Sequence, residues 1–247
     1  MAINSPTTLI FDLDGTLCRY GTDLEESLLK TFAADDKDEL PITPSSYQEG
    51  FGVEFDKAIE GEVDRPELDF RTRIFWLLLG SEGAYGEGEV IRLGERFTAL
   101  RENSLTLFPE VPEVFDRIRE DYKLGLLTNG PSSLQRSKIE ELGIEDWFDS
   151  ITVSGEHRLA KPDPEIFEIA LEKLEAGKEE TIYVGNSLKY DVVGANNAGL
   201  PVIWREDGEE DEVEEATPDF VIEDLSDLFH GELASIISNP NKRSVKS

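Results

Sequence analysis

Leu9-Ile10-Phe11-Asp12-Leu13-Asp14-Gly15-Thr16-Leu17 is an apolar run that passes straight into two carboxylates one residue apart and then a Gly-Thr turn. Parallel α/β sheets collect ligands where strands end at their carboxyl edge, so this position delivers Asp12 and Asp14 to a site and not to a solvated face. Side chains alternate along a strand, so residues two apart point the same way and both acids can serve one centre. Such a pair suits a nucleophile with an acid/base partner, or two ligands for a hard cation such as Mg2+. Taken alone, the stretch also fits a plain turn, because Asp and Gly are ordinary turn formers.

Three later punctuations bear on that choice. Lys123 to Leu127 runs into Thr128-Asn129-Gly130; Ala160-Lys161-Pro162-Asp163-Pro164 opens a helix; Ile182-Tyr183-Val184 runs into Gly185-Asn186-Ser187, with Asp191 shortly after. In this order the four stretches resemble the motifs of the haloacid dehalogenase superfamily: Asp-x-Asp-Gly-Thr, a strand-end Thr or Ser, a Lys, and a Gly-Asp followed by another Asp. The resemblance runs from about Leu9 to Gly199, with an insertion between the first two motifs. It implies a hydrolase of the phosphatase-like subgroup with a helical C1-type cap.

On that resemblance, Asp12 attacks phosphorus to form an aspartyl phosphate, and Asp14 protonates the leaving oxygen and then takes a proton from water. Thr128 and the backbone donors near Asn129 and Gly130 bind phosphoryl oxygens, and Lys161 neutralises the crowded charge and contacts substrate. Asp12, Asp14, Asn186 and Asp191 are the expected Mg2+ ligands, since carboxylates and a phosphate cannot share a site without a cation. The chain departs from the family pattern at Asn186, where an acid is usual; an amide oxygen still ligates Mg2+ but brings one negative charge fewer. Thr128 also fits a helix cap, a role compatible with anion binding at a helix start.

Composition narrows the classes. The 247 residues include 54 acidic against 24 basic ones, a formal net charge of −30. That field repels nucleic-acid phosphates and anionic lipid headgroups, so neither is expected as a partner. It also strains the compact state at low ionic strength, whereas at 1 M salt a Debye length of ~3 Å screens it. The pattern resembles cytosolic proteins of halophilic archaea. The single cysteine, Cys18, excludes an internal disulfide and fits a reducing cytoplasm, where it is expected to serve packing. No signal peptide and no membrane-length apolar run is read from the chain.

Between Asp12 and Thr128, residues 13 to 127, lies far more chain than the roughly dozen residues of a strand-helix-strand crossover. The insert reads as helical: a capping box at Thr22-Asp23-Leu24-Glu25 followed by Leu24, Leu28 and Phe32, then helices over Ser45–Gly61, Pro66–Leu79 and Gly88–Asn103. Phe75 to Leu79 reads as its buried seam. From Pro109 the pattern alternates: helix 110–120, strand 123–127, helix 132–142, strand 150–153, helix 164–175, strand 181–184, helix 190–198, strands 201–204 and 220–222, and helix 225–237. Alternation of this kind predicts an α/β fold, a Rossmann-like parallel sheet flanked by helices. The expected division is a core of 1–19 and 107–237, a cap of 20–106 and a tail of 238–247. The acidic run Arg205 to Ala216 reads as a solvated loop.

The expected activity is Mg2+-dependent hydrolysis of a small phosphorylated metabolite of the class of a phosphorylated sugar, glycolate or nucleotide, with Arg19 and Tyr20, and more weakly Arg71, Arg73 and Trp76, as substrate contacts. The alternatives are a 2-haloacid dehalogenase, faintly favoured by Asn186-Ser187 but opposed by Asp14, and a silent binding protein of the same fold, supported by Asn186 alone. A phosphomutase is disfavoured because His157 and His230 lie outside the insert.

Overall fold

A computed structural model describes residues 6–33, 40–80, 85–206 and 213–237. Along the chain come β1 (Thr8–Phe11), β2 (Cys18–Tyr20), α1 (Leu24–Phe32), α2 (Pro44–Glu60), α3 (Phe70–Leu79), α4 (Glu87–Asn103), β3 (Leu105–Leu107), α5 (Val111–Ile118), β4 (Lys123–Thr128) and α6 (Ser132–Leu142). There follow β5 (Ser150–Val153), α7 (Pro164–Leu174), β6 (Thr181–Gly185), α8 (Val193–Ala198), β7 (Val202–Arg205), β8 (Phe220–Ile222) and α9 (Gly231–Ile237).

Six strands form a parallel sheet in the order β5-β4-β1-β6-β7-β8. β1 is central and buried along its whole length, which is why it reads as an unbroken apolar run and not as an alternating one. Leu9, Ile10 and Phe11 are fully buried, each stabilising the fold by about 1.5–3 kcal/mol. In register, Phe11 pairs with Leu126 on one side and Val184 on the other. The chain runs outward from β1 to β4 and β5, then returns to β6 on the other side, so the strand order reverses beside β1. α7 shows how the helices cover this sheet: Asp163 caps it, Pro164 opens it, and Ile166, Phe167, Ala170 and Leu171 pack with Ile10, Leu127 and Tyr183.

Two compact units emerge. The first holds the described residues of Met1–Arg19, Leu107–Asn129 and Gly143–Ser247, the second those of Tyr20–Thr106 and Gly130–Leu142. The second unit has its own core, in which Phe75 meets Phe32 at 6.0 Å and Phe97 at 5.2 Å between ring centroids. The sequence division drew 107–237 as continuous, but α6 groups with this second unit, where Leu134 joins the apolar cluster of Phe32, Phe75 and Phe97.

Several boundaries differ from the sequence reading for local reasons. α1 is capped by Asp23, whose carboxylate accepts from Glu26 N at 2.7 Å, while Thr22 Oγ1 pairs with Ser27 Oγ. α3 starts at Phe70, not Pro66, because Asp69 Oδ1 takes the N–H groups of Arg71 and Thr72. The helix read over 225–237 is a 3-10 segment, Leu225–Phe229, followed after His230 by α9, whose first residue, Gly231, has φ +55°. Within the acidic run, Arg205 closes β7 and Val213 and Ala216 are partly buried against the core, while Glu214 and Glu215 are exposed; 207–212 and the tail 238–247 lie outside the described residues. Among the described residues, no helix is long and apolar enough to cross a membrane.

Candidate active site

Three neighbouring strand ends build the site. Asp12 follows β1 and donates its backbone N–H to Val184 O on β6 at 2.9 Å, so the residue is fixed by sheet geometry before its side chain does anything. Thr128 closes β4 and is buried; Gly185 closes β6. The chain then turns sharply after Asp14, with Gly15 at φ +81° and its N–H on Cys18 O at 2.9 Å. Cys18 is buried, its Sγ on Leu13 O.

Lys161 reaches this edge from the loop before α7. Asn129 holds it there: its side-chain amide donates to Lys161 O and accepts from Lys161 N, both at 2.9 Å. The ammonium is 3% exposed and donates to Asp12 Oδ1 and Asp191 Oδ1, each at 2.6 Å, and to Tyr183 OH at 3.0 Å. Tyr183 OH in turn donates to Asp191 Oδ1 at 2.7 Å, and Asp191 Oδ2 accepts from Ser187 N at 2.9 Å. Asp191 stands in a π-helical turn, Leu188–Val192, which swings its carboxylate back over Gly185. A Cβ on Gly185 would lie 2.4 Å from Asp191 Cγ, so glycine is required there.

Asn186 lies across the first motif. A Cβ on Gly15 would come within 2.2 Å of Asn186 Nδ2, and Thr16 Oγ1 donates to Asn186 Oδ1 at 3.4 Å. Two consecutive residues at the end of β7 brace these turns: Trp204 Nε1 donates to Asn186 O at 2.7 Å, and Arg205 Nη1 donates to Thr16 O. Arg205 is buried, pairs with Glu110 at 2.9 Å and stacks on Phe108.

Charge is unevenly matched. Burial, with help from the Asp191 and Asp14 carboxylates, pushes the Asp12 carboxyl up from 3.8 to about 7, against the pull of Lys161. Burial opposes the Lys161 ammonium, but Asp12 and Asp191 outweigh it and hold its pKa above the ordinary value. Burial therefore outweighs the nearby ammonium at Asp12. Burial beside Asp191 pushes the Tyr183 phenol well above its ordinary range, so it remains a donor.

A family model for haloacid dehalogenase-like hydrolases matches residues 6–199. The chain belongs to that family. It is 36% identical over 204 residues to a phosphoserine phosphatase of Thermus thermophilus, covering 78% of this chain and 80% of that protein. It is 26% identical to a ribulose-1,5-bisphosphate 5-phosphatase of Halopiger xanaduensis, covering 94% and 99%. Among solved structures, the HAD-hydrolase YfnB of Bacillus subtilis, bound to magnesium, superposes with a TM-score of 0.65 at 24% identity, covering 92% of this chain and 98% of that one.

Asp12, Lys161 and Asp191 meet directly; Asp14 stands half-buried in the turn beyond; Thr128 and Asn129 end the neighbouring strand. Both Asp191 oxygens are engaged by Lys161, Tyr183 and Ser187, so this acid serves Lys161 first. Among the described residues no group of three or more His, Cys, Asp or Glu side chains converges as a metal cage; Asn186 stands where the family pattern has an acid. The donor set of two carboxylates and an amide oxygen, with Asp12 short of a cation, still fits a weakly held Mg2+. Sequence reading missed Tyr183, Trp204 and Arg205. Of the substrate candidates, Arg19 is exposed against Phe108. In the second unit Arg73 is bound to Glu54 and to Leu68 O, and Trp76 lies under Arg65.

Proposed function

We propose that the protein is a Mg2+-dependent phosphatase acting on a small phosphate monoester through an aspartyl-phosphate intermediate. The observation that carries this reading is the buried Asp12–Lys161–Asp191 cluster, with Lys161 Nζ 2.6 Å from both acids. It supplies a fixed nucleophile and an ammonium that can neutralise an incoming phosphoryl group.

In this mechanism an Asp12 oxygen bonds to phosphorus while the bond to the leaving oxygen breaks, and Asp14 gives that oxygen its proton. Asp14, now ionised, takes a proton from water as water attacks the aspartyl phosphate; the P–O bond to Asp12 breaks and phosphate leaves with Asp12 restored. Thr128 and the backbone N–H groups after it bind phosphoryl oxygens. Lys161, oriented by Asn129, Asp191 and Tyr183, offsets the charge that collects on phosphorus oxygens. Asp12, Asp14 and Asn186 would hold Mg2+, which supplies further charge neutralisation when bound, with Asp191 acting on it through Lys161. Support also comes from the phosphatases named above. We place the second unit as a C1-type cap and the working medium as concentrated salt in a cytoplasm, on the charge of −30.

The test is release of phosphate from an aryl phosphate in molar KCl. Turnover should require Mg2+ and fall by more than about 1,000-fold in Asp12→Asn, as loss of a covalent nucleophile demands. Absence of turnover together with halide release from 2-chloropropionate would replace this reading by dehalogenation, and absence of both would leave a silent binding protein.

A further inference from the structure

Two residues far apart in sequence meet inside the second unit: Arg71 Nη2 donates to Tyr20 OH at 2.9 Å. Tyr20 is also the meeting point of two further cations. Arg101 Cζ stands 3.6 Å and Lys138 Nζ 5.6 Å from its ring centroid. Arg71 and Lys138 are buried, with Arg71 only 4% exposed. In a chain that holds 24 cations against 54 acids, three converging on one ring need an explanation.

For Arg71 the neighbours do not supply it. Arg101 rests its Nη1 on Thr22 O, Asp23 O and Ser27 Oγ. Asp69 is engaged in capping α3 and in bonds to the hydroxyls of Thr72 and Thr98. The carboxylate facing Arg71 is Glu102, at 3.8 Å from Nη1, which is ion-pair range but beyond a hydrogen bond. Arg71 Nη1 makes no hydrogen bond at all. A buried guanidinium N–H left unbonded is unusual, because desolvation is offset only by a partner. Glu102 itself is poorly held: it lies in the last turn of α4, is partly exposed, and burial together with Glu141 and Asp69 raises its pKa despite Arg71.

We propose that Arg71, Arg101, Lys138 and the Tyr20 hydroxyl form an oxyanion-binding site of the second unit, taking a phosphate, sulfate or carboxylate group in the place where Glu102 now stands. Glu102 acts as the resident stand-in: its side chain turns outward and the incoming anion gives Arg71 Nη1 the short, charge-assisted bond it lacks. The guanidinium fork and the ammonium match a tetrahedral or carboxylate anion better than a single carboxylate at 3.8 Å does. The anion has two possible sources, a free small anion or a second acidic group on the substrate. Binding itself does not depend on the phosphatase reading; assigning the anion to the substrate does.

The experiment is calorimetric titration of inorganic phosphate into the full chain in EDTA, which removes the cation that phosphate binding beside the carboxylates of the catalytic edge would need. One binding event is expected. Arg71→Met should weaken it roughly ten- to hundredfold, the loss of a charge-assisted bond, and Glu102→Gln should tighten it about two- to fivefold, the worth of a partly exposed ion pair. If Arg71→Met does not fold, Glu102→Gln decides alone. Absence of binding in both the parent and Glu102→Gln, or an unchanged affinity in folded Arg71→Met, overturns the proposal. The sources then separate in the Mg2+-loaded enzyme. Sulfate that changes kcat on an aryl phosphate marks a free anion. Sulfate that raises KM only for a substrate with a second acidic group marks the substrate. Because the titration needs no turnover, failure of the phosphatase reading leaves it intact.

Discussion

Replacing Lys161 by Met removes the cation that bridges Asp12 and Asp191 while keeping a chain of similar length, and the structure fixes what that should do. Both acids are buried, and each lies 2.6 Å from the ammonium. Removing one member of a buried ion pair costs about 3–5 kcal/mol, because it strands the other charge. Against a total stability of about 5–15 kcal/mol, that brings the metal-free protein close to unfolding. The pH dependence gives the sharper test. The folded-state pKa of Asp12 is about 7 against an ordinary 3.8, so between those values the folded state binds more protons than the unfolded one, and stability falls as pH rises. The ionised carboxylate is disfavoured by about 4 kcal/mol in the parent, and losing Lys161 adds to this. Urea unfolding in EDTA and fixed KCl, followed by tryptophan fluorescence, should therefore show the variant about 3–5 kcal/mol less stable at about pH 8 and a smaller deficit at about pH 4, where Asp12 is protonated in both proteins. Mg2+ should recover part of the loss at the higher pH. An equal loss at both pH values would refute the reasoning, since the lysine would then act through packing of its methylenes and not through charge.

Asn186→Asp restores a third acid beside Asp12 and Asp14 and should tighten Mg2+ roughly tenfold; an unchanged dissociation constant by calorimetry would remove Asn186 from the metal set. Tyr183→Phe deletes the hydroxyl shared by Lys161 and Asp191 and should cost about 1–2 kcal/mol of stability, with kcat falling more than KM changes. A full-rate Tyr183→Phe enzyme would show that the phenol only fills space. Arg205→Met, which frees Thr16 O, should weaken Mg2+ binding and lower kcat together, with partial recovery in Arg205→Lys; a loss of stability without either effect would make Arg205 a packing residue.

Most of the architecture could be read from the chain because parallel interior strands announce themselves as short apolar runs, and Leu9 to Phe11 and Ile182 to Val184 are of that kind. Asp12 and Thr128 were visible because polar residues at the end of such runs have few other reasons to be there, and Lys161 because it stands beside Pro162 just before a helix. Tyr183 was hidden by the same logic: inside an apolar strand a tyrosine reads as core, and only its hydroxyl, at the far end of a buried ring, reaches the site. Trp204 and Arg205 were hidden because they act on backbone carbonyls of distant turns, and a carbonyl leaves no trace in the residue type that bears it. Asp191 was found, but its engagement depends on a π-helical turn that no spacing rule for an α-helix anticipates. The shift of caps to Asp23 and Asp69 has a simpler cause, since several acceptors compete at each helix start and geometry chooses between them.

Consecutive strand residues face opposite sides of a sheet, and the donors of Trp204 and Arg205 take different directions to two adjoining turns, one to that of Asn186 and one to that of Thr16. A slip of β7 by one residue would exchange those directions and deprive both turns at once. Catalytic geometry is therefore an internal check on strand alignment. A mispaired chain with native helix and strand content would be silent in an activity assay, and activity regained on refolding would count correctly aligned molecules and not merely compact ones.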